Sequence, residues 1–415
     1  MRVLLRGLMD NNHCVVIGAG QAAAQLTARL RQNGWQGMIS VVGDEQFLPY
    51  HRPPLSKDYL SGEKSVDDLM IRPSAAYENA DVQFRLGSRA ESIDQEAKKV
   101  LLGNGKSISF SKLVLATGSR LRKLPVPGAD LPGVFYLRSI SDVKQIKTYV
   151  GENKKAVVIG GGYIGLETAA VLKKLGMEVT VLEAMNRVLE RVTTPEISAF
   201  YTRVHEQEGV QIRTNLSASS IKGVNEVDKV VCQNGQEFAA DMVIIGIGVL
   251  PETELAENAG LEVDNGILVN EFAQTSNPDI LAAGDCTNHF HPFYDRHIRL
   301  ESVQNAVDQS TVAANTICDM PSAYNSLPWF WSDQYDIKLQ IAGLCDGYDE
   351  VVLRGDISTG RSFTAFYLKD GKIITVTAIN KPQEFMVGKR LIVSKLRVDK
   401  ASLSDTSIPI KELVE

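Results

Sequence analysis

Two glycine-rich turns constrain this chain more than any other feature: Gly18-Ala19-Gly20-Gln21-Ala22-Ala23 and Gly160-Gly161-Gly162-Tyr163-Ile164-Gly165. Each follows an apolar run, Val15-Val16-Ile17 or Val157-Val158-Ile159, and each opens a stretch with helical apolar spacing. That spacing is carried by Ala22, Ala23, Leu26 and Leu30 in the first and by Leu166, Ala169, Ala170 and Leu172 in the second. The pattern reads strand, tight turn, helix. A glycine at the turn and another where the backbone nears the ligand leave the first helical N–H groups and the positive end of the helix dipole free for a pyrophosphate. Ala23 stands at the third position, where a methyl group still lets helix and strand pack closely. One such turn is compatible with tight packing alone. Two in this context imply two dinucleotides.

The length of 415 residues is too great for one core and suggests about three domains. Apolar content of 44%, charged content of 23% and a net charge of −6 describe an ordinary globular chain and argue against wholesale attraction to nucleic acid or an anionic membrane. No apolar stretch approaches the roughly 20 residues of a membrane span. Residues 1–10 read as a leader, with Met9 as an alternative start to Met1. Cys14, Cys232, Cys286, Cys318 and Cys345 are scattered and odd in number, which fits a reducing cytoplasm and offers no local redox pair. His289, His291 and His297 lack the cysteine or carboxylate spacing of a metal site, so no metal is expected.

Along the chain, the strand Met38 to Val42 is followed by Gly43-Asp44-Glu45, about two dozen residues beyond Gly20, where an acid meets an adenosine ribose. Either Asp44 or Glu45 can serve. Pro49-Tyr50-His51-Arg52-Pro53-Pro54-Leu55-Ser56-Lys57 is stiffened by prolines and could aim Arg52 and Lys57 at the polar edge of a flavin. Leu113 to Gly118, Asp241 to Gly248 and Asp279 to Asp285 are strands ending in small residues, suited to close backbone approach. Asp285 stands where it can accept bonds from a ribityl chain. In the second unit Glu183 ends the strand Val179 to Leu182. This order implies a first dinucleotide domain interrupted by a second and then resumed. From about Pro321 the pattern turns to hairpins, with Phe363 to Leu368 and Ile373 to Ile379 joined at Lys369-Asp370-Gly371-Lys372, then a helix from Pro382 to Leu396. The expected divisions are 11–118 and 244–320 for the first domain, 119–243 for the inserted one and 321–415 for a C-terminal α+β domain.

Over nearly its whole length the chain resembles the FAD-dependent NADH–ferredoxin reductases of bacterial cytochrome P450 and ring-hydroxylating oxygenase systems, in their putidaredoxin reductase-like branch. The resemblance is carried by Arg52-Pro53-Pro54-Leu55-Ser56-Lys57, Ala116-Thr117-Gly118, Val158 to Glu167, Val188 to Thr193, Gly284-Asp285-Cys286, Glu301 to Ala306 and Pro328-Trp329-Phe330-Trp331-Ser332-Asp333-Gln334-Tyr335. It implies an α/β protein of glutathione reductase-like architecture, with an FAD domain interrupted by an NAD domain and a C-terminal domain that helps form the ferredoxin surface. On matching positions, Gly18, Gly20, Ala22 and Asp44 would hold FAD. Arg52, Lys57, Ala90, Thr117, Gly118, Arg138, Asp285 and Val303 would complete its site. Gly160, Gly162, Gly165 and Glu183 would hold NADH, with Ile164, Glu167, Gly248 and Glu301 around the nicotinamide.

Hydride transfer is then the cofactors' own chemistry, with Lys57 and Glu167 as the residues nearest the reaction. Electrons would leave singly to a [2Fe–2S] ferredoxin feeding a P450 or a Rieske-type oxygenase, and the family's usual form is a monomer. Disulfide reductases and peroxidases of this fold need cysteine beside the flavin, and residues 43 to 60 contain none. A flavoprotein acting as a redox sensor is the competing class, separable by rapid turnover. Glu183 predicts a preference for NADH, with Arg187 near enough in sequence to soften it. The stretch Lys381 to Lys400 is strongly basic through Lys381, Lys389, Arg390, Lys395, Arg397 and Lys400. A docking surface for an acidic ferredoxin is expected there, extended by Arg72 and Lys338, with Trp329 or Trp331 beneath it at the flavin edge.

Overall fold

The structure, a computed structural model, describes residues 12–413; the expected leader and the choice between Met1 and Met9 lie outside the described residues. The chain divides into two compact units. The first comprises the chain up to His51 with Leu69–Arg120 and Val249–Pro328, and the second Arg52–Asp68, Leu121–Gly248 and the chain from Trp329.

In the first unit a five-stranded parallel sheet runs in the order Ile280–Ala282, Lys112–Leu115, His13–Ile17, Met38–Val42, Val82–Arg85. Its inner strands are largely apolar and buried because both faces are covered, whereas the edge strand Val82–Arg85 alternates buried and more exposed residues. Cys14 and Val16 pack with Ala23, Leu26 and Leu30 of the helix Gln21–Gln32, while Val15 and Ile17 pack with Ile93, Val100 and Leu102. Full burial of a leucine such as Leu26 or Leu30 contributes about 1.5–3 kcal/mol. The last three belong to an antiparallel sheet of Ala90–Asp94, Lys99–Leu102 and Ser107–Ser109.

The second unit repeats the plan. Its parallel sheet runs Gln211–Arg213, Glu178–Leu182, Lys155–Ile159, Met242–Ile245, Val134–Tyr136, with an antiparallel sheet of Ala218–Lys222, Lys229–Cys232 and Glu237–Ala239 beside it. The chain from Trp329 adds a five-stranded antiparallel sheet in the order Trp329–Gln334, Ile337–Gly343, Lys372–Ile379, Ser362–Lys369, Glu350–Asp356. The turn between Ser362–Lys369 and Lys372–Ile379 has positive φ at both Asp370 (51°) and Gly371 (73°), which matches the twist of the strands it joins. The helix Pro382–Ser394 begins with proline and lies so close to the sheet that a Cβ on Gly388 would be 2.8 Å from Val376.

Three divisions differ from those read in the sequence. The strand Met242–Ile245 pairs whole with Lys155–Ile159, so a boundary between 243 and 244 would cut it. Residues 321–328 go with the first unit, where Tyr324 is buried in the core. The segment Arg52–Asp68, expected within the first domain, is grouped by its packing with the second unit.

Candidate active site

The two glycine turns have nearly the same geometry. Gly18 has φ 106° and a Cβ there would lie 2.1 Å from the Ala116 carbonyl oxygen; Gly160 has φ 111° and its Cβ would lie 2.3 Å from that of Gly246. Only glycine fits either place. At Gly20 and Gly162 the position of a Cβ is open, with nothing within 4 Å. These two residues precede the helices Gln21–Gln32 and Tyr163–Lys174, whose N-termini have no side-chain cap and no acid in the first turn. Among the described residues, the other helices of ten residues or more carry either a side-chain cap, at Ser139 and Ser302, or an acid in the first turn, at Glu196 and Glu384. Two bare N-termini, each beside open space, are cradles for anionic groups. The third positions differ: Ala23 is buried, whereas a Cβ on Gly165 would lie 2.1 Å from the Gly160 carbonyl oxygen.

Around the first turn, Asp44 is exposed and bonds to none of the described residues, while Glu45 accepts from the Tyr50 hydroxyl at 2.6 Å. Gly118 has φ 69°, the Thr117 hydroxyl donates to the Glu252 carbonyl at 2.7 Å, and the Ser119 hydroxyl donates to Asp285 at 3.3 Å. Gly284, before Asp285, has φ 91° and donates its N–H to Gln309. Ala90 begins its strand, and Val303 begins the helix Val303–Ile317 behind the Ser302 cap. Glu301 is paired with Arg299. Arg72, also of this unit, has a buried Nε with no hydrogen-bond partner among the described residues.

Around the second turn, the carboxylate of Glu183 accepts from the Gly161 N–H at 2.7 Å and the Met185 N–H at 2.8 Å. The acid at the strand end is thereby locked against the glycine turn. Arg187 makes its hydrogen bonds to the carbonyls of Glu190 and Thr193 and to the Ser198 hydroxyl. Ile164, in the first helical turn, is 47% exposed although large and apolar, and Gly248 has φ 99°.

Glu167 lies one turn further along the helix and is buried. Lys57 meets it at 2.6 Å, and the hydroxyls of Ser56 and Ser332 donate to it at 2.5 Å each. Pro53 and Pro54 open the short helix Pro53–Ser56, which ends where Lys57 takes a non-helical φ of −132°; the Lys57 ammonium also donates to the Pro53 carbonyl. Arg52 donates to the Arg138 carbonyl at 2.7 Å, and the Arg138 N–H donates to Asp142 at 3.0 Å. Ser56 and Ser332 had no role in the sequence reading. The available signal was period-two alternation, which separates Ser332 and Gln334 from Trp331 and Asp333 on the strand Trp329–Gln334.

Of the expected docking residues, Lys338, Lys389, Arg390 and Trp331 belong to the second unit. Lys389 lies over the rings of Trp329 and Phe385, 5.6 Å from each, and the Trp329 and Trp331 rings are 5.4 Å apart. Lys338 and Arg390 are exposed. Lys400 is paired with Glu350.

The family described as pyridine nucleotide-disulphide oxidoreductase matches residues 12–310, and the one described as reductase C-terminal matches residues 329–414. The chain is 41% identical over 410 residues to putidaredoxin reductase of Pseudomonas putida, covering 97% of each. It is 38% identical over 404 residues to the ferredoxin–NAD(+) reductase component of the anthranilate 1,2-dioxygenase system of Burkholderia cepacia, covering 97% of this chain and 99% of that one. Among solved structures it is similar to the reductase of a covalent putidaredoxin reductase–putidaredoxin complex, with a TM-score of 0.95, 41% identity and 98% of each chain covered.

Proposed function

The chain belongs to the pyridine nucleotide-disulphide oxidoreductase family, and on that premise we propose the residues by which it works as a ferredoxin reductase. In that role it takes hydride from NADH onto FAD and passes electrons singly to a [2Fe–2S] ferredoxin that feeds a cytochrome P450 or a Rieske-type oxygenase. Bound FAD would supply the conversion of a hydride's electron pair into single electrons, which no side chain can perform.

The observation that carries the assignment is the pair of bare helix N-termini behind positive-φ glycines. Both fit a pyrophosphate: each has unpartnered N–H groups and space where a side chain would otherwise stand. Gly18, Gly20 and Ala22 hold the FAD pyrophosphate, and Asp285, half-buried at the end of its strand, accepts from the ribityl hydroxyls. Gly160, Gly162 and Gly165 hold that of NADH. Glu183, oriented by two N–H groups, accepts from the adenosine ribose. Lys57 brings a positive charge to the flavin, and Glu167 holds that charge in place, which favours the electron-rich reduced ring. The basic face that carries Lys389 and Arg390 meets the acidic ferredoxin. A cytoplasmic location is part of the proposal and is supported by five cysteines that are all free thiols.

The test is anaerobic mixing of the FAD-loaded protein with NADH and then with a [2Fe–2S] ferredoxin. Flavin bleaching followed by many turnovers of ferredoxin reduction is expected. Bleaching that stops after one equivalent would identify a sensor instead.

A further inference from the structure

Beyond Ser332, the hydrogen bonding that starts at Lys57 and Glu167 continues through three more side chains of the same unit. Gln334 Nε2 donates to Ser332 Oγ at 3.2 Å, His205 Nε2 lies 2.8 Å from Gln334 Oε1, and the Tyr335 hydroxyl lies 3.0 Å from His205 Nδ1. His205, Gln334, Ser332 and Glu167 are all buried.

The direction of this chain follows from its inner end. An ionised Glu167 has no proton to give, so the Ser332 hydroxyl must donate to it. Ser332 Oγ is then an acceptor for its other neighbour, which requires the NH2 of Gln334. That leaves the Gln334 oxygen facing His205, which must carry its proton on Nε2. Burial pushes the His205 imidazole down to about 4, so at neutral pH the ring holds one proton only and its Nδ1 accepts from Tyr335. Every donor therefore points the same way, toward Glu167. A primary amide in the middle of such a chain does not pass protons readily, because it would have to form its imidic acid. The arrangement orients a carboxylate; it does not feed one.

We propose that Ser332, Gln334, His205 and Tyr335 are positioning residues that fix and polarise the Glu167 carboxylate, so that Lys57 presents its charge to the flavin in one place. The inference rests on the proposed role of Lys57 and adds the four residues that hold its partner. Hydrogen bonds in series strengthen one another in a low dielectric, so loss of an outer member is felt at the inner end, more weakly with each step removed. Placement follows from the fold: the strand Trp329–Gln334 turns Ser332 and Gln334 inward, and the helix Pro195–Gln207 supplies His205 near its end.

The experiment measures the flavin midpoint potential of the FAD-loaded protein by dye equilibration for Lys57→Met, Ser332→Ala, Ser332→Thr and Tyr335→Phe, with thermal unfolding of each. Lys57→Met should lower the potential most, Ser332→Ala should lower it in the same direction so that the reduced-to-oxidised ratio at fixed potential falls several-fold, and Tyr335→Phe should lower it least. Ser332→Thr, which keeps the hydroxyl, should restore the wild-type value. A potential moved by Lys57→Met but not by Ser332→Ala or Tyr335→Phe would overturn the positioning chain and leave the role of Lys57 standing. A potential unmoved by Lys57→Met would overturn both. Nitrogen NMR of the His205 ring gives a check independent of the flavin: the Nε2–H tautomer is expected at pH 7, and the Nδ1–H tautomer would reverse the chain and refute the proposal.

Discussion

The two glycine turns share a geometry at their first two positions and part company at their acids. In the second turn Glu183 is bound to the Gly161 and Met185 N–H groups before any ligand arrives; in the first, Asp44 is exposed and bonds to none of the described residues. A fixed acceptor suits a ligand that enters and leaves at every turnover, because the ordering of the acceptor has been completed in the fold and is not repeated at each binding event. A cofactor bound once and kept has no such need. On the proposed assignment the same local device serves a resident and a visitor, and the fixed acid belongs to the visitor's turn.

The most severe way to break the comparison is to block both turns in turn. Gly20→Val and Gly162→Val each place their Cβ in open space, with nothing within 4 Å of it. Gly20→Val is expected to purify without flavin. Gly162→Val is expected to purify yellow, with NADH-dependent bleaching slowed at least roughly a hundredfold, about 2.7 kcal/mol. Absorbance of the purified proteins and stopped-flow reduction decide this, and the reverse outcome would exchange the two sites.

The third positions allow a smaller test. Gly165→Ala would put its methyl group 2.1 Å from the Gly160 carbonyl oxygen and should destabilise the protein by about 1–3 kcal/mol. Ala23→Gly removes a methyl group from a well-packed helix and should cost about 1 kcal/mol. Urea denaturation of each compares them. Equal effects would mean that the two turns are less distinct than their geometry suggests.

Glu183 gives the next effect in size. A 2′-phosphate about 4 Å from its carboxylate would feel a repulsion of about 4 kcal/mol at an effective dielectric of 20, reduced by screening. With Arg187 engaged elsewhere, NADH should be favoured over NADPH by at least roughly tenfold in kcat/KM, about 1.4 kcal/mol. Glu183→Ala should narrow the ratio. Equal efficiency in the wild type would remove Glu183 from the ribose.

The least effect is expected at the partner surface. Lys389→Glu with Arg390→Glu should raise KM for ferredoxin several-fold and flatten its salt dependence, leaving NADH reduction of ferricyanide unchanged. Arg72→Glu, on the first unit, should do less. A larger effect from Arg72 would place the docking face chiefly there.

The glycine turns, the helices they open and the C-terminal hairpin were legible in the sequence because each depends on neighbours in the chain. Gly18, Gly160 and the Asp370-Gly371 turn need a backbone conformation that residue type reveals directly. Apolar spacing likewise identified the buried faces of the helices Gln21–Gln32 and Tyr163–Lys174. The roles of Lys57 and Glu167 came from resemblance, since nothing in their spacing joins residues so far apart in sequence. Only the tertiary structure decided that Arg52–Asp68 packs with the second unit, that the strand Met242–Ile245 belongs there whole, and that Ser56 and Ser332 converge on one carboxylate. It also gave the Arg187 guanidinium its partners at Glu190, Thr193 and Ser198. Such outcomes depend on which buried polar group finds which partner across more than a hundred residues of chain, a choice set by the packing of whole sheets and helices and left unwritten in any local pattern.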